Sequence, residues 1–175
     1  MKFSVSSLFL FASCAFGQTV NRTLTNGWGS TPAQRHYISA DQAQTAINAA
    51  IEYANSISIP MNIAILDPSS QLVAFLRMDN AFLGSVDISI KKAKTVTSFN
   101  GLFPSYGLLE RAQPGGDVYA IEETNGGLVV FGGGQPIIDP DGYYIGAVGV
   151  SGGTVKQDIS TAVHAAESIG TTVKL

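Results

Sequence analysis

Two charged residues at the end of a predicted strand are the first candidates for chemistry in this 175-residue sequence. Arg77 and Asp79 stand two positions apart, so an extended backbone places both side chains on one face. A guanidinium there can bind a ligand carboxylate through two parallel hydrogen bonds, or it can form an ion pair that holds the loop. Both interpretations stay open, and Lys92 on the next predicted helix can join this polar cluster or remain solvated.

Glycines and a serine form a second group of candidates. A glycine run that ends in Gly133 and Gly134 removes side-chain bulk, which lets another backbone or a flat ligand approach closely. Ser151 and Gly152 lead into a helix whose first N–H groups favour an anion, although ordinary capping also explains this pattern. Ser151 has no base beside it in sequence, so a hydrolase triad is not indicated.

His36 and His164 are the only histidines, and neutral imidazole is the usual axial donor to haem iron. His36 precedes a predicted helix cap, where it can reach a ligand or stay solvated. His164 lies beside the apolar stripe of the last predicted helix, which favours a packed or half-exposed side chain. No histidine pair at i, i+4 and no carboxylate cluster indicates a metal site, so none is expected.

Capping patterns and hydrophobic periodicity predict the helices that position these residues. Ser39 with Gln42, and Thr154 with Gln157, form capping boxes that predict the first and last helices. Two further helices are expected between them. They are a middle helix capped by Ser85 that runs to about Phe99, and a short helix that starts at Pro104.

Short apolar runs bounded by turn residues predict four strands. They cover 61–66, 72–76, 128–131 with a continuation at 137–138, and 143–150. The resulting order is α-β-β-α-α-β-β-α, in which two hairpins are flanked by helices. This order predicts an α/β (α+β) domain with one antiparallel sheet and helices packed on it.

The N-terminal residues have the pattern of a signal peptide. Lys2 precedes an apolar run, and small residues at the cleavage positions end at Gly17. The run is too short to span a bilayer, so a membrane partner is not expected. Cleavage there leaves Gln18 as the first residue, with an N-glycosylation acceptor at Asn21. We therefore expect a secreted, extracellular glycoprotein.

Composition bounds the domain organisation and excludes one class of partner. Hydrophobic residues make up 45% and charged residues 13% of the chain, as in a folded globular domain. The net charge is −3 with no basic tract, which argues against nucleic acid as a partner. The single Cys14 leaves with the signal peptide, so no disulfide is expected. The expected organisation is a signal peptide at 1–17, an exposed arm at 18–37 and one domain at 38–175.

Several of these segments, taken in their order along the chain, resemble the haem-degrading family, also called GlcG/HbpS-like. The resemblance covers about residues 40–170 and becomes specific because all the segments occur at matching spacings. The segments that carry it are 62–67, 72–81, Lys92-Ala93 with Thr95, 132–137, 146–153 and Gln157-Asp158.

The resemblance implies a profilin-like fold and a homo-oligomer, and association also stabilises a domain that lacks disulfides. It implies that haem is a possible cofactor, with Thr95 at the position that one group of members places at the haem. The acidic pair that this group links with iron corresponds here to Asp87 and Ile90, so the pair is broken. A further group uses a histidine near the first helix for haem, and His36 lies near that place.

Three classes of function remain open on the sequence. The first is a secreted binding protein for haem or a similar flat apolar carboxylate. The alternative is an enzyme that catalyses a cyclisation, isomerisation or proton transfer on a small apolar metabolite, and that uses Arg77, Asp79 or Lys92 for this reaction. The third is an interaction module without a ligand. In the first two, we expect the charged residues, the glycine run and the segment 151–154 to converge in one cleft.

Overall fold

The computed structural model describes Ala33 and residues 35–175, in which three α-helices and four strands follow one another in the order α-β-β-α-β-β-α. The predicted signal peptide, Asn21 and most of the predicted arm lie outside these residues. Among the described helices, none has the length and apolar character needed to cross a bilayer. The elements are α1 (Ala40–Ser56), β1 (Asn62–Leu66), β2 (Leu72–Arg77), α2 (Ser85–Ser98), β3 (Gly134–Ile138), β4 (Tyr144–Ser151) and α3 (Val155–Glu167).

Both predicted capping boxes are present. In α1 the Ser39 hydroxyl accepts a hydrogen bond from the Gln42 backbone N–H at 3.2 Å, and the Gln42 side chain accepts one from the Ser39 N–H at 2.9 Å. The same reciprocal pattern begins α3. The predicted cap at Ser85 is wrong, because Ser85 is the first residue of α2 and follows Gly84, which has no side chain to cap the helix.

The four strands form one antiparallel sheet in the order β2-β1-β4-β3. Helices α1 and α3 pack on one face of the sheet, where Ile63 and Ile65 point into the larger core. Helix α2 covers the other face, against Ala64 and Leu66. All five residues of β1 are buried, so the central strands are covered on both sides. The predicted α+β class and the antiparallel sheet with flanking helices are confirmed.

The predicted third strand and the additional helix are misplaced. Residues 128–131 form no strand, and β3 begins only at Gly134. The backbone of that segment is hydrogen-bonded by side chains instead of by a neighbouring strand. The Thr95 hydroxyl bonds the N–H and carbonyl of Val129, and the Ser105 hydroxyl donates to the carbonyl of Phe131 at 2.7 Å. The predicted helix after Pro104 is one short 3-10 turn, Ser105–Leu108, because a glycine within it and the glycine pair that follows disfavour longer helix.

Candidate functional site

Lys92 is completely buried, which corrects the expectation of a solvated or ligand-facing side chain. Its Nζ donates to Asp158 Oδ2 at 2.6 Å and to the backbone carbonyl of Val150 at 2.9 Å. The same nitrogen lies 4.9 Å from the centroid of the Phe131 ring. Burial lowers the pKa of Lys92 and raises the pKa of Asp158, while the opposite charge of each partner offsets part of these shifts.

Asp158 also occupies the backbone donors that the sequence suggested for a ligand anion. Its Oδ1 accepts hydrogen bonds from the N–H groups of Gly152 at 3.2 Å and Gly153 at 2.9 Å, at the start of α3. The anion at this helix N-terminus is therefore a carboxylate of the chain itself. Ser151, the residue before Gly152, is buried and pairs with Asn62 of β1 in the sheet register.

The glycine run allows backbone to pack directly on this ion pair. Gly133 has φ +119°, and a Cβ there would lie 2.5 Å from the Val150 carbonyl oxygen and 2.7 Å from Lys92 Nζ. A Cβ on Gly134 would lie 2.3 Å from the Lys92 carbonyl oxygen. The structure thus brings together several predicted site residues in a closed cluster, defined here as Lys92, Gly133, Gly134, Gly152 and Asp158. The glycines of the run fit the close-backbone interpretation.

Thr95 connects α2 to the segment before β3. It is completely buried, and its hydroxyl lies 2.9 Å from the Lys91 carbonyl oxygen and 3.0 Å from that of Val129. The same oxygen accepts a hydrogen bond from the Val129 N–H at 2.9 Å. All hydrogen bonds of this hydroxyl are made within the protein, so axial ligation of haem by Thr95 would require breaking its bonds to Val129.

Arg77 and Asp79 line a separate open cleft of about 550 Å³ between the end of β2 and the end of α1. Neither forms an ion pair with a described residue, so the structure contains no sign of the alternative in which Arg77 pins the loop. We call this feature the Arg77 cleft. Its lining consists of Asn55, Ser58, Ile59, Pro60, Leu76, Arg77, Met78, Asp79 and Asn80.

The prediction of one shared cleft is wrong, because β2 and β3 are the two opposite edges of the sheet. Arg77 pairs with Asn62, and Asn62 pairs with Ser151 on β4. The glycine run before β3 lies one strand further. Three interstrand spacings of about 4.8 Å separate Arg77 from that run by roughly 14 Å. The sequence could not show this distance, because strand order is not encoded in any local pattern.

His36 lies at the other end of the sheet from the Arg77 cleft. Its ring stacks on Tyr143 with 3.7 Å between centroids and an interplanar angle of 11°. Its Nδ1 lies 3.7 Å from Asp139 Oδ2. Strand β4 begins beside this histidine and ends at Ser151, which is level with Arg77 in the sheet register. At about 3.3 Å per residue, the length of β4 separates His36 from the level of Arg77 by roughly 23 Å. A single haem therefore cannot contact both His36 and Arg77 within one subunit.

His164 is exposed and lies in a shallow groove between α1 and α3. Its ring stacks on Tyr53 with 3.9 Å between centroids, and Nδ1 lies 2.8 Å from the Ser160 carbonyl oxygen. Across the described residues, no three His, Cys, Asp or Glu side chains are grouped closely enough to hold a metal ion.

Two residues of the closed cluster could have been found from helical spacing. Lys92 lies on the same stripe of α2 as Ser89, Ala93 and Val96, so the stripe predicts that its side chain points to the sheet. Asp158 begins the buried stripe of α3 in the same way. A charged residue on each of two stripes that face the same sheet is a usable signal for a buried ion pair.

The chain belongs to the family described as haem degrading protein HbpS-like, whose model matches residues 38–167. A 15.0 kDa protein from the dhaT-dhaS intergenic region of Citrobacter freundii is 41% identical over 106 residues, which cover 60% of this chain and 72% of that protein. PduO of Salmonella typhimurium, described as a corrinoid adenosyltransferase, is 35% identical over 122 residues. That alignment covers 69% of this chain and only 35% of PduO.

Solved structures agree with this family assignment. Protein ORFY of Klebsiella pneumoniae superposes with a TM-score of 0.73 at 33% identity, over 79% of this chain and 95% of that one. A structure described as a PduOC–haem complex superposes with a TM-score of 0.70 at 32% identity, over 76% of this chain and 95% of that one. The fold described above is therefore the fold of this family.

Proposed function

We propose that this protein binds haem, or a similar flat apolar ligand with carboxylates, and that His36 supplies the axial ligand. The observation that carries the proposal is the likeness to a protein solved in complex with haem, 32% identical and aligned over 95% of its length. Membership of the HbpS-like family supports the same ligand class.

The surroundings of His36 fit an axial ligand. Metal-bound histidines commonly direct their second ring nitrogen toward a carboxylate, which fixes the tautomer and the ring orientation. Asp139 is placed for this role, because its Oδ2 lies 3.7 Å from Nδ1 and one bridging water can complete the contact. The stack on Tyr143 holds the ring plane, and the side chain is 43% exposed, which leaves Nε2 for iron.

The neighbours of His36 suit the rest of a haem. Tyr37 is 53% exposed and offers an aromatic surface to a porphyrin face, while its hydroxyl lies 3.0 Å from the Ser69 hydroxyl. Arg35 is exposed one residue before His36, where its guanidinium can pair with a propionate. Haem supplies the iron, and these residues would bind and orient it. Arg35 was not among the residues that the sequence singled out.

The alternative of an enzyme acting on a small apolar metabolite has less support. Lys92 is buried and paired, and it lies toward the β3 edge of the sheet, whereas Arg77 and Asp79 lie at the β2 edge. These three residues therefore form no common acid–base site within one subunit.

Haemin titration followed in the Soret region tests the proposal. We expect a saturable change for the wild-type protein. His36→Ala is expected to weaken haemin binding about tenfold or more, because the iron loses its protein donor. His164→Ala is the matched control, because it removes the other exposed histidine and is expected to leave the titration unchanged.

Each outcome bears on a defined part of the proposal. The absence of a saturable change in the wild type would disprove haem binding. Equal binding by His36→Ala and wild type would leave haem binding intact and disprove His36 as the ligand. Free imidazole added to His36→Gly is expected to restore the wild-type spectrum if the imidazole itself binds the iron.

We also propose that the protein acts outside the cell as a homo-oligomer. The signal-peptide pattern of residues 1–17 and the acceptor at Asn21 support secretion, and the family resemblance supports association. Intact mass of protein collected from the medium is expected to show a chain that begins at Gln18 and carries sugar at Asn21. Sedimentation at micromolar concentration is expected to show an assembly, and a monomer would contradict it.

A further inference from the structure

The Arg77 cleft contains five polar side chains that pair with no other described side chain. Arg77 and Asp79 form no ion pair with each other or with another described residue. Asn55, Ser58 and Asn80 are exposed, and within the described part of the chain their side chains make no hydrogen bond. This contrasts with the closed cluster, where every charged atom has a partner.

The backbone around this cleft is held in an uncommon conformation. Ser58 has φ +56° and Asn80 has φ +65°, both in the left-handed region that costs energy for residues other than glycine. Hydrogen bonds fix the two turns, because the Ser58 N–H donates to the Asn55 carbonyl at 3.0 Å and the Ala81 N–H to that of Met78 at 3.1 Å. The two turns that border the cleft are therefore held by hydrogen bonds of the chain itself.

The remaining lining is apolar and lies beside the two charges. It consists of Ile59, Pro60, Leu76 and Met78. A volume of about 550 Å³ lies within the usual range of small-molecule sites. The cleft thus offers one cation, one anion that is not ion-paired with it, and an apolar wall.

We propose that the Arg77 cleft binds a small zwitterion of the α-amino-acid type with an apolar side chain. Arg77 binds the carboxylate through its planar pair of donors, and Asp79 binds the ammonium group. The apolar side chain packs on Ile59 and Leu76. A ligand with a single charge makes only one of these two contacts, so a zwitterion is favoured over either singly charged analogue.

Leucine and two singly charged analogues test this site on the full-chain protein: L-leucine, 4-methylpentanoate, which lacks the ammonium group, and 3-methylbutylamine, which lacks the carboxylate. Binding is followed by NMR chemical-shift titration. Leucine is expected to give a saturable shift and to bind about tenfold or more tightly than either singly charged analogue, because it makes both charge-assisted contacts. No saturable shift with leucine, or equal affinity for leucine and 4-methylpentanoate, would overturn the proposal.

Substitutions assign each charge to its partner. Arg77→Met is expected to abolish the preference for leucine over 3-methylbutylamine, because the carboxylate loses its partner. Asp79→Asn is expected to abolish the preference for leucine over 4-methylpentanoate, because the ammonium group loses its partner. Arg111→Met and Asp117→Asn are matched controls, since they alter an exposed Arg–Asp pair elsewhere and are expected to change neither preference. Haemin titration of Arg77→Met is expected to match the wild type, which separates this site from the proposed haem site.

Discussion

The closed cluster and the Arg77 cleft contain similar residues in opposite situations. Lys92 and Asp158 are a buried pair with 2.6 Å between Nζ and Oδ2, and further hydrogen bonds go to the backbone. Arg77 and Asp79 are exposed at a strand end and form no ion pair with any residue that the structure describes. Burial forces charged groups to satisfy each other, because water no longer solvates them. Charges that stay hydrated remain free to bind a ligand.

This difference predicts opposite responses to substitution. Removing one partner of a buried pair leaves the other charge without compensation, which is costly. Removing an exposed, unpaired charge changes the free energy of unfolding little, although it can abolish binding. The four variants below test this contrast in order of the expected loss of stability.

Lys92→Met is expected to have the largest effect. It leaves the Asp158 carboxylate buried without its cation, so the free energy of unfolding should fall by about 3–5 kcal/mol. Urea denaturation followed by circular dichroism measures this. The control is Lys91→Met, one residue earlier on the same helix, where the ammonium group is partly exposed and pairs with Asp87 at 2.7 Å. Equal effects of the two variants would contradict the structural role of the buried pair.

Gly133→Ala is expected to lower the free energy of unfolding by about 3 kcal/mol, because φ is positive and the new Cβ meets backbone. The nearest backbone atom is the Val150 carbonyl oxygen, 2.5 Å from the Cβ position. Gly84→Ala is the control, since no atom lies within 4 Å of its Cβ position. Thermal unfolding of the two variants compares them, and a stable Gly133→Ala protein would refute the tight packing.

The double variant Lys92→Met/Asp158→Leu is expected to lose only about 1–2 kcal/mol. It removes both buried charges, and the remaining loss is that of the side-chain partners of the Val150 carbonyl and of the Gly152 and Gly153 N–H groups. A double-mutant cycle in urea measures the coupling between the two residues. Losses that add up from the single variants would show that the pair is not coupled.

Arg77→Ala is expected to change the free energy of unfolding by no more than about 0.5 kcal/mol, because its side chain is exposed and unpaired. The same urea experiment measures it. A loss comparable to that of Lys92→Met would mean that Arg77 holds the fold, and the contrast between the two regions would disappear.

Local patterns predicted the parts of the fold that depend on neighbouring residues. The capping boxes at Ser39 and Thr154 are correct, because both partners lie within one helical turn. The strand expected at 128–131 is absent, because the side chains of Thr95 and Ser105 bond its backbone from distant parts of the chain. No window of sequence around that segment contains this information.

The candidate site divides in the same way. Arg77 and Asp79 were predicted on one face, and both line one cleft, because two residues of one strand end stay together in any fold. The proximity of Lys92 to Asp158 was not predicted, since 66 residues separate them. The Lys92 ammonium group lies against Gly133, and only this tertiary contact decides in favour of the close-backbone interpretation.

By itself, the sequence determined where the first and last helices begin, that two pairs of strands stand between helices, and the family resemblance, because these follow from residue type and spacing along the chain. Only the tertiary structure decided which charges are buried and which face water. That depends on the strand order β2-β1-β4-β3, which places Arg77 and the glycine run at opposite edges of one sheet. Strand order is set by the packing of the whole core, so no local pattern contains it.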